Sequence, residues 1–531
     1  MIRKIVNGRI YDGSGTEPFL GSIELEAGRI VRVRAGAEKA EGPEIIDAHG
    51  MAVTPGFVDI HRHHDIAALY DDHFGELELA QGITTAIAGN CGLSPFPNHP
   101  QRCLQQFAYI EPCLGKMPSD TKLHLFSDYM EALAKKQLPL NVGALVGAGA
   151  CAAAAMGYEA RGFTPAEREE AIAYVRDAMQ SGALGMSFGI MYTPECYLAE
   201  EDMVAMAREC ARQGGMVSCH IRGEGNGLVD SVREILTICK KAEAPLNISH
   251  FKATGIANWG RNIGQAIEEI EKARSAGQRV TVDVYPYTGG ATTALSLIPP
   301  CVTEGRPLSY LGTPEGAARL RQEIEREQPG WDNMVKSIGW ERTIIGSVTK
   351  EKNRRYCGKS VAAIMQELAL EDPCEWLGQL IAEEEGKVGC IIMSMSQEDV
   401  DTVMRLPYAA IISDSLYGGG DNPHPRLYGS FPRVLREYVR ERGILSMQEA
   451  VRKMTAMPAE RAGILDRGYI RAGYMADINI FDPEKIRDLA TFTEPKQLSE
   501  GIAYTLIGGE QTGAGARGRL IKKGKGLWNQ F

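Results

Sequence analysis

A (β/α)8 barrel of the TIM type, with a small β-sandwich domain made from both chain termini and an inserted helical subdomain, is the α/β fold predicted by this 531-residue sequence. Three observations predict it. Eight apolar runs of strand length are spaced along the middle of the chain, mostly with helix-patterned segments between them. Both ends carry short runs of alternating Ile and Val with glycine turns, the pattern of hairpins. The chain also exceeds one ordinary hydrophobic core, so one large domain with smaller pieces is expected.

Residues 1–54 contain "KIVNGRIYDG", "GSIELEAGRIVRV" and "GPEIIDAHGMAVTPG", and residues 464–531 return to the same grammar in "AGYMADINIFDP" and "GIAYTLIGGEQT". These two ends are expected to form one composite β domain. Within 55–463 the runs "GFVDI", "TTAIAG", "NVGALVG", "LGMSFG", "MVSCHI", "LNISHF", "VTVDVYPY" and "AAIISD" supply the eight barrel strands. Segments such as "PAEREEAIAYVRDAMQSG" and "AEEDMVAMARECARQGG" have helical periodicity. From about 300 to 360 the rhythm lapses, and an insertion of approximately 295–350 is expected over the active-site face.

A net charge of −10 leaves no basic footprint for nucleic acid. No signal-peptide core, Lys/Arg-rich amphipathic segment or apolar stretch of membrane-spanning length is present, so a cytoplasmic protein without membrane partners is expected, as a monomer or dimer acting on a small molecule. The 12 cysteines contain no CxxC pair and read as reduced thiols.

Catalytic groups of a barrel emerge at the C-terminal ends of its strands. "GFVDIHRHHD" supplies His61 and His63, two apart and therefore on one face of an extended segment. Four other runs end at Cys91, His220, His250 and Asp414. Singly each has an ordinary explanation: a hydrogen-bonded imidazole, a buried thiol, a helix-capping carboxylate. Converging on one mouth, four imidazoles, a thiol and a carboxylate are enough for two divalent ions with one shared ligand. Cys91 could fill space, attack as a nucleophile or hold a metal; Asn90 and Gly92 make a poor core around it, and a nucleophile would want a base partner. His64 has the opposite strand parity and is expected outside the ligand set. His49, His73, His99 and His124 lie off the strand ends.

The stretches "GFVDIHRHHD", "GNCGLSPFP", "GIMYTPECY", "CHIRGEG", "ISHFKATG", "DVYPYTGG", "HPRLYGSFPRVL" and "GYMADINIFDP" resemble the amidohydrolase superfamily, and within it the N-acyl-D-amino acid deacylases, or D-aminoacylases. The resemblance covers nearly the whole chain. It implies a zinc-dependent hydrolase in which Cys91 is a metal ligand, in the place that a carboxylated lysine holds in related hydrolases. Cys91, His220 and His250 would hold one Zn2+ tightly, while His61, His63 and Asp414 would frame a second, weaker position. A thiolate beside Zn2+ is deprotonated and can bridge two ions. Asp414 is the expected general acid/base, taking a proton from the attacking water and handing it to the leaving nitrogen.

Lys252, two after His250, has the parity to face the same mouth. The family positions matching Lys252, Tyr192 and Tyr285 bind the substrate carboxylate, and Arg426 in "HPRLYG" is a further substrate-binding candidate. Two departures matter. The family pattern "YPYTAGST" is here "YPYTGGAT", with Ala291 for a serine, and "LVGHGTLR" is here "LVGAGACA", with Ala148 and Ala152 for a histidine and an arginine. Both changes predict a less polar pocket or a different substrate. The expected reaction is hydrolysis of an N-acyl-D-amino acid to a carboxylate and a free D-amino acid. Alternatives are a cyclic amide, as in hydantoinases and dihydroorotases, a D-residue-containing peptide, or a metal-free scaffold. No lysine stands at a strand end to replace Cys91, and every ligand position is filled, which favours the first reading.

Overall fold

The computed structural model describes residues 2–523 apart from 104, 327, 329, 330, 419 and 514–516. Eight parallel strands circle the middle of the chain. In order they are Phe57–Asp59, Ile83–Ala88, Asn141–Ala144 continued by Val146–Gly147, Gly185–Gly189, Met216–His220, Leu246–Ile248, Val280–Val284 and Ala409–Ile411. Each of the first seven pairs in parallel with the next. The ring closes where Asp414 N donates to His61 O (2.9 Å) and Ser415–Leu416 pairs with Arg62–His63.

These strands read as continuous apolar runs because both faces are covered, one by the barrel interior and the other by helices. Nearly every residue in them is buried. The helix Pro165–Ser181 shows how local sequence sets the outer layer. Thr164 caps it, Glu167 reaches back to Thr164 N (2.7 Å), Pro165 occupies the first turn and Gly182 ends it in a left-handed conformation. Its buried face, Ala171, Val175, Ala178 and Met179, follows the helical repeat.

Strands from both ends of the chain hydrogen-bond into one continuous eight-stranded sheet in which Ala52–Pro55 of the N-terminal part pairs with Ile478–Phe481 of the C-terminal part. Ile5, Ile10, Ile23, Ile30, Val53, Ile478, Ile480 and Leu506 form its core. The sheet curls: Ile30 N donates to Tyr474 O and Gly473 N to Ile30 O, both at 2.8 Å, bringing the edge strand Arg29–Ala35 back beside the chain ahead of Ile478. Residues 517–523 leave this unit and lie along the third barrel strand, with Ile521 N donating to Val142 O (2.7 Å). Residues 524–531 lie outside the described residues.

The insertion spans 290–392, further than 295–350, and it is not purely helical. Three antiparallel strands, Gly290–Thr293, Gly389–Ile392 and Thr343–Ser347, hold helices that include Pro314–Ile324, Met334–Ile338, Val361–Leu368 and Pro373–Glu383. It has its own core, with Leu297, Leu311, Leu320, Ile345, Leu377 and Ile381. Among the described residues no helix is long and apolar enough to cross a membrane.

Candidate metal centre

Three of the six donor residues sit in left-handed backbone conformations: Cys91 at φ 55°, His250 at φ 36° and Asp414 at φ 51°. Each such non-glycine residue costs about 1–3 kcal/mol, so the surroundings must enforce it. Asp283 does so for His250, its Oδ1 accepting from His250 N (2.5 Å). Asp59 and the His61 carbonyl hold the turn at 413–414: Ser413 N donates to Asp59 Oδ1 (3.2 Å) and Asp414 N to His61 O (2.9 Å). Around Cys91, Asn90 Nδ2 donates to Ile60 O (3.2 Å) and Gly92 N to Ser187 Oγ (2.9 Å). Glycine is required at 92 (φ +69°), where a Cβ would stand 1.9 Å from Glu195 Oε1. Each strand end is thereby turned so that its side chain enters the mouth.

The donors form two groups, His61, His63, Cys91 and Asp414, and Cys91, His220 and His250, with the atoms of each group within 4.8 Å of one another. Cys91 belongs to both. Its Sγ lies 3.2 Å from His61 Nε2 and 3.4 Å from His250 Nε2. Asp414 Oδ1 lies 3.3 Å from His61 Nε2 and 3.4 Å from His63 Nε2, while Oδ2 takes Arg426 NH1 at 2.7 Å. All six residues are buried.

Burial lowers the affinity of His220 and His250 for a proton, and Lys252 adds to this at His250. At His61 burial acts the same way, but Asp414 and Asp283 outweigh it and the imidazole is raised. Burial alone would raise Asp414; Arg426 and His61 override it and hold the carboxyl well below its ordinary range. Burial and then Asp414 push the Cys91 thiol well up.

This donor set fits a divalent ion. Both ring nitrogens of His220 are buried without a hydrogen-bond partner among the described residues. A tetrahedral ion with bonds of about 2.0–2.3 Å sets neighbouring ligand atoms roughly 3.3–3.8 Å apart, close to the spacings around Cys91. A buried thiol facing carboxylates is stable as a thiolate only beside a cation.

Tyr192, Lys252, Tyr285 and Arg426 line the same cavity, about 550 Å³ including its open mouth, and so does Ala291. Tyr192 places its hydroxyl 3.0 Å from Thr292 Oγ1 in the insertion. The Tyr285 hydroxyl makes a weak contact to Met395 sulfur (4.0 Å), and the Arg426 guanidinium and Lys252 ammonium lie 4.7 Å and 5.9 Å from its ring centre. Ala148 and Ala152 do not line the cavity as described. Both are fully buried in the helix Ala148–Met156, where a small side chain is a packing choice. His64 is buried and stacks on Phe74 (5.3 Å between rings), away from the donor groups.

Sequence reasoning missed four residues. Glu224 Oε1 lies 3.0 Å from His250 Nδ1 and 2.6 Å from Lys252 Nζ. Lys252 Nζ, held by Glu224, also stands 2.9 Å from His250 Nδ1, so the ring nitrogen turned away from Cys91 meets a carboxylate–ammonium pair that fixes the imidazole's orientation. Asp332 of the insertion accepts from Gly225 N (2.6 Å) and Gly227 N (3.2 Å), pinning the loop that carries Glu224. Asp283 braces His250. His424 donates from Nε2 to Gly289 O (2.8 Å) and accepts at Nδ1 from Arg426 N (3.0 Å), so it is a neutral imidazole joining Arg426 to the start of the insertion. Of these, Asp283 carried a signal, since a charge inside the apolar run "VTVDV" must be paired when buried.

The model of the amidohydrolase family matches residues 44–291 and 398–512, leaving out the insertion. N-acyl-D-aspartate deacylase of Alcaligenes xylosoxydans xylosoxydans is 31% identical over 99% of this chain and 96% of its own length. D-aminoacylase of the same organism is 30% identical over 95% of this chain and 93% of its own. N-acyl-D-glutamate deacylase of Bordetella bronchiseptica, solved with zinc and a phosphonate inhibitor that mimics the tetrahedral intermediate, superposes with a TM-score of 0.83 at 29% identity over 98% of this chain and 99% of the other.

Proposed function

Because the chain belongs to the amidohydrolase family, we propose that it is a zinc-dependent hydrolase of N-acyl-D-amino acids, releasing a carboxylate and a free D-amino acid. The observation that carries this reading is the shared thiol of Cys91 between two donor groups, with Lys252, Tyr285 and Arg426 on the wall beside them. Cys91, His220 and His250 would hold one zinc ion; His61, His63 and Asp414 would frame a second position. Zinc there supplies a Lewis acid for the scissile carbonyl and a lowered pKa for water.

The protein's own groups do the rest. Arg426 and the histidines keep Asp414 ionised, so it accepts the proton of the water that attacks the acyl carbon and returns it to the leaving nitrogen. Lys252, Tyr285 and Arg426 orient the substrate carboxylate, and Tyr192, braced on Thr292, closes the far side. The twelve free thiols support a reducing setting such as the cytoplasm.

The test is release of free amine from N-acetyl and N-formyl D- and L-amino acids, hydantoin and dihydroorotate by protein of measured zinc content. Turnover of the D-acyl compounds alone is expected. Turnover of the cyclic amides or the L series instead would overturn the proposal.

A further inference from the structure

We infer that the substrate's side chain is uncharged and apolar, which sets this chain apart from relatives named for aspartate and glutamate; the inference rests on the deacylase reading above. Among the described residues lining the cavity, Lys252 and Arg426 are the permanent cations. Each already faces a carboxylate, Lys252 Nζ at 2.6 Å from Glu224 Oε1 and Arg426 NH1 at 2.7 Å from Asp414 Oδ2. The substrate's own carboxylate calls on this pair and on the Tyr285 hydroxyl. A second carboxylate, on the side chain, would find no counter-charge left among these residues, and an unpaired charge drawn out of water is disfavoured.

Thr254, Thr292 and Ser394 add neutral hydroxyls, and the larger side chains of the remaining walls are apolar and come from separate parts of the fold. Leu93 follows the second barrel strand, Met191 the fourth and Leu416 the eighth, while Met334 and Ile392 belong to the insertion. Leu93, Ile392 and Leu416 are buried; Met191 and Met334 are partly exposed into the space. Unbranched thioethers adapt to differently shaped partners. The pocket should therefore accept several apolar side chains and discriminate mainly by charge.

The experiment compares kcat/KM of the zinc-loaded enzyme for N-acetyl-D-leucine, -methionine, -asparagine, -aspartate and -glutamate. Asparagine and aspartate have the same shape, so their ratio isolates the charge. Leucine and methionine are expected to exceed aspartate and glutamate by at least about 100-fold, with asparagine between. Met334→Arg, which adds a cation to the insertion's wall, should narrow that ratio by about tenfold or more. Equal or better turnover of aspartate or glutamate by the natural enzyme would overturn the inference. Calorimetric binding of the matching N-methylphosphonyl D-amino acids separates the two levels. If no N-acetyl-D-amino acid is turned over, the deacylase reading fails. The inference is then judged on phosphonate affinity alone: leucine or methionine compounds binding tighter sustain it, and acidic ones binding tighter defeat it.

Discussion

The two donor groups that share Cys91 differ in where their carboxylates stand. In the Cys91–His220–His250 group, the carboxylate Glu224 lies behind the imidazole of His250 and faces away from the thiol. In the His61–His63–Cys91–Asp414 group, the carboxylate is itself a donor, pinned by Arg426 on its other oxygen. The first arrangement presents neutral imidazoles and a soft sulfur, suited to holding zinc. The second presents an ionised oxygen that can exchange protons, suited to chemistry. On the proposed reading, one part of the cluster would retain the ion and the other would use it.

The largest effect expected is from Cys91→Ala, which removes the atom common to both groups. Bound zinc should disappear by elemental analysis, and kcat/KM should fall by about 10⁴-fold or more. Retained zinc and near-normal turnover would erase the comparison. Asp414→Asn should separate the groups: kcat falls by about 10³-fold while one zinc per chain remains, as measured by steady-state kinetics alongside metal content. Glu224→Gln weakens the Glu224–Lys252 pair that faces His250 Nδ1, and competition with a chelator should show zinc affinity reduced by about 10- to 100-fold. Smallest is Lys252→Ala, expected to raise KM by about tenfold with little change in kcat, since the interaction is made equally with bound substrate and transition state. An unchanged KM would remove Lys252 from the carboxylate site.

The six residues grouped at the barrel mouth were legible in the sequence because a barrel makes strand ends converge. His61 and His63 share strand parity, and the other four each close an apolar run. What stayed hidden depends on loops meeting one another. Glu224 sits in "RGEGNG", where a carboxylate reads as solvated; its value arises only when Asp332, more than 100 residues on, accepts from Gly225 and Gly227. His424 gains its role the same way, through Gly289. The reach of the insertion to 392 was obscured because "VAAIMQEL" and "WLGQLIAE" have the periodicity of barrel helices, and only burial against Leu311 and Ile345 assigns them to a separate core. The tail 517–523 carries too few apolar residues to announce its pairing with the third strand.

X-ray absorption at the zinc edge of the loaded enzyme, compared with Cys91→Ser, tests the central claim most directly. A sulfur scatterer at about 2.3 Å together with nitrogen and oxygen at about 2.0 Å is expected in the natural protein, and its sulfur contribution should vanish in the variant. A zinc environment of nitrogen and oxygen alone in the natural protein would contradict the shared-thiol site.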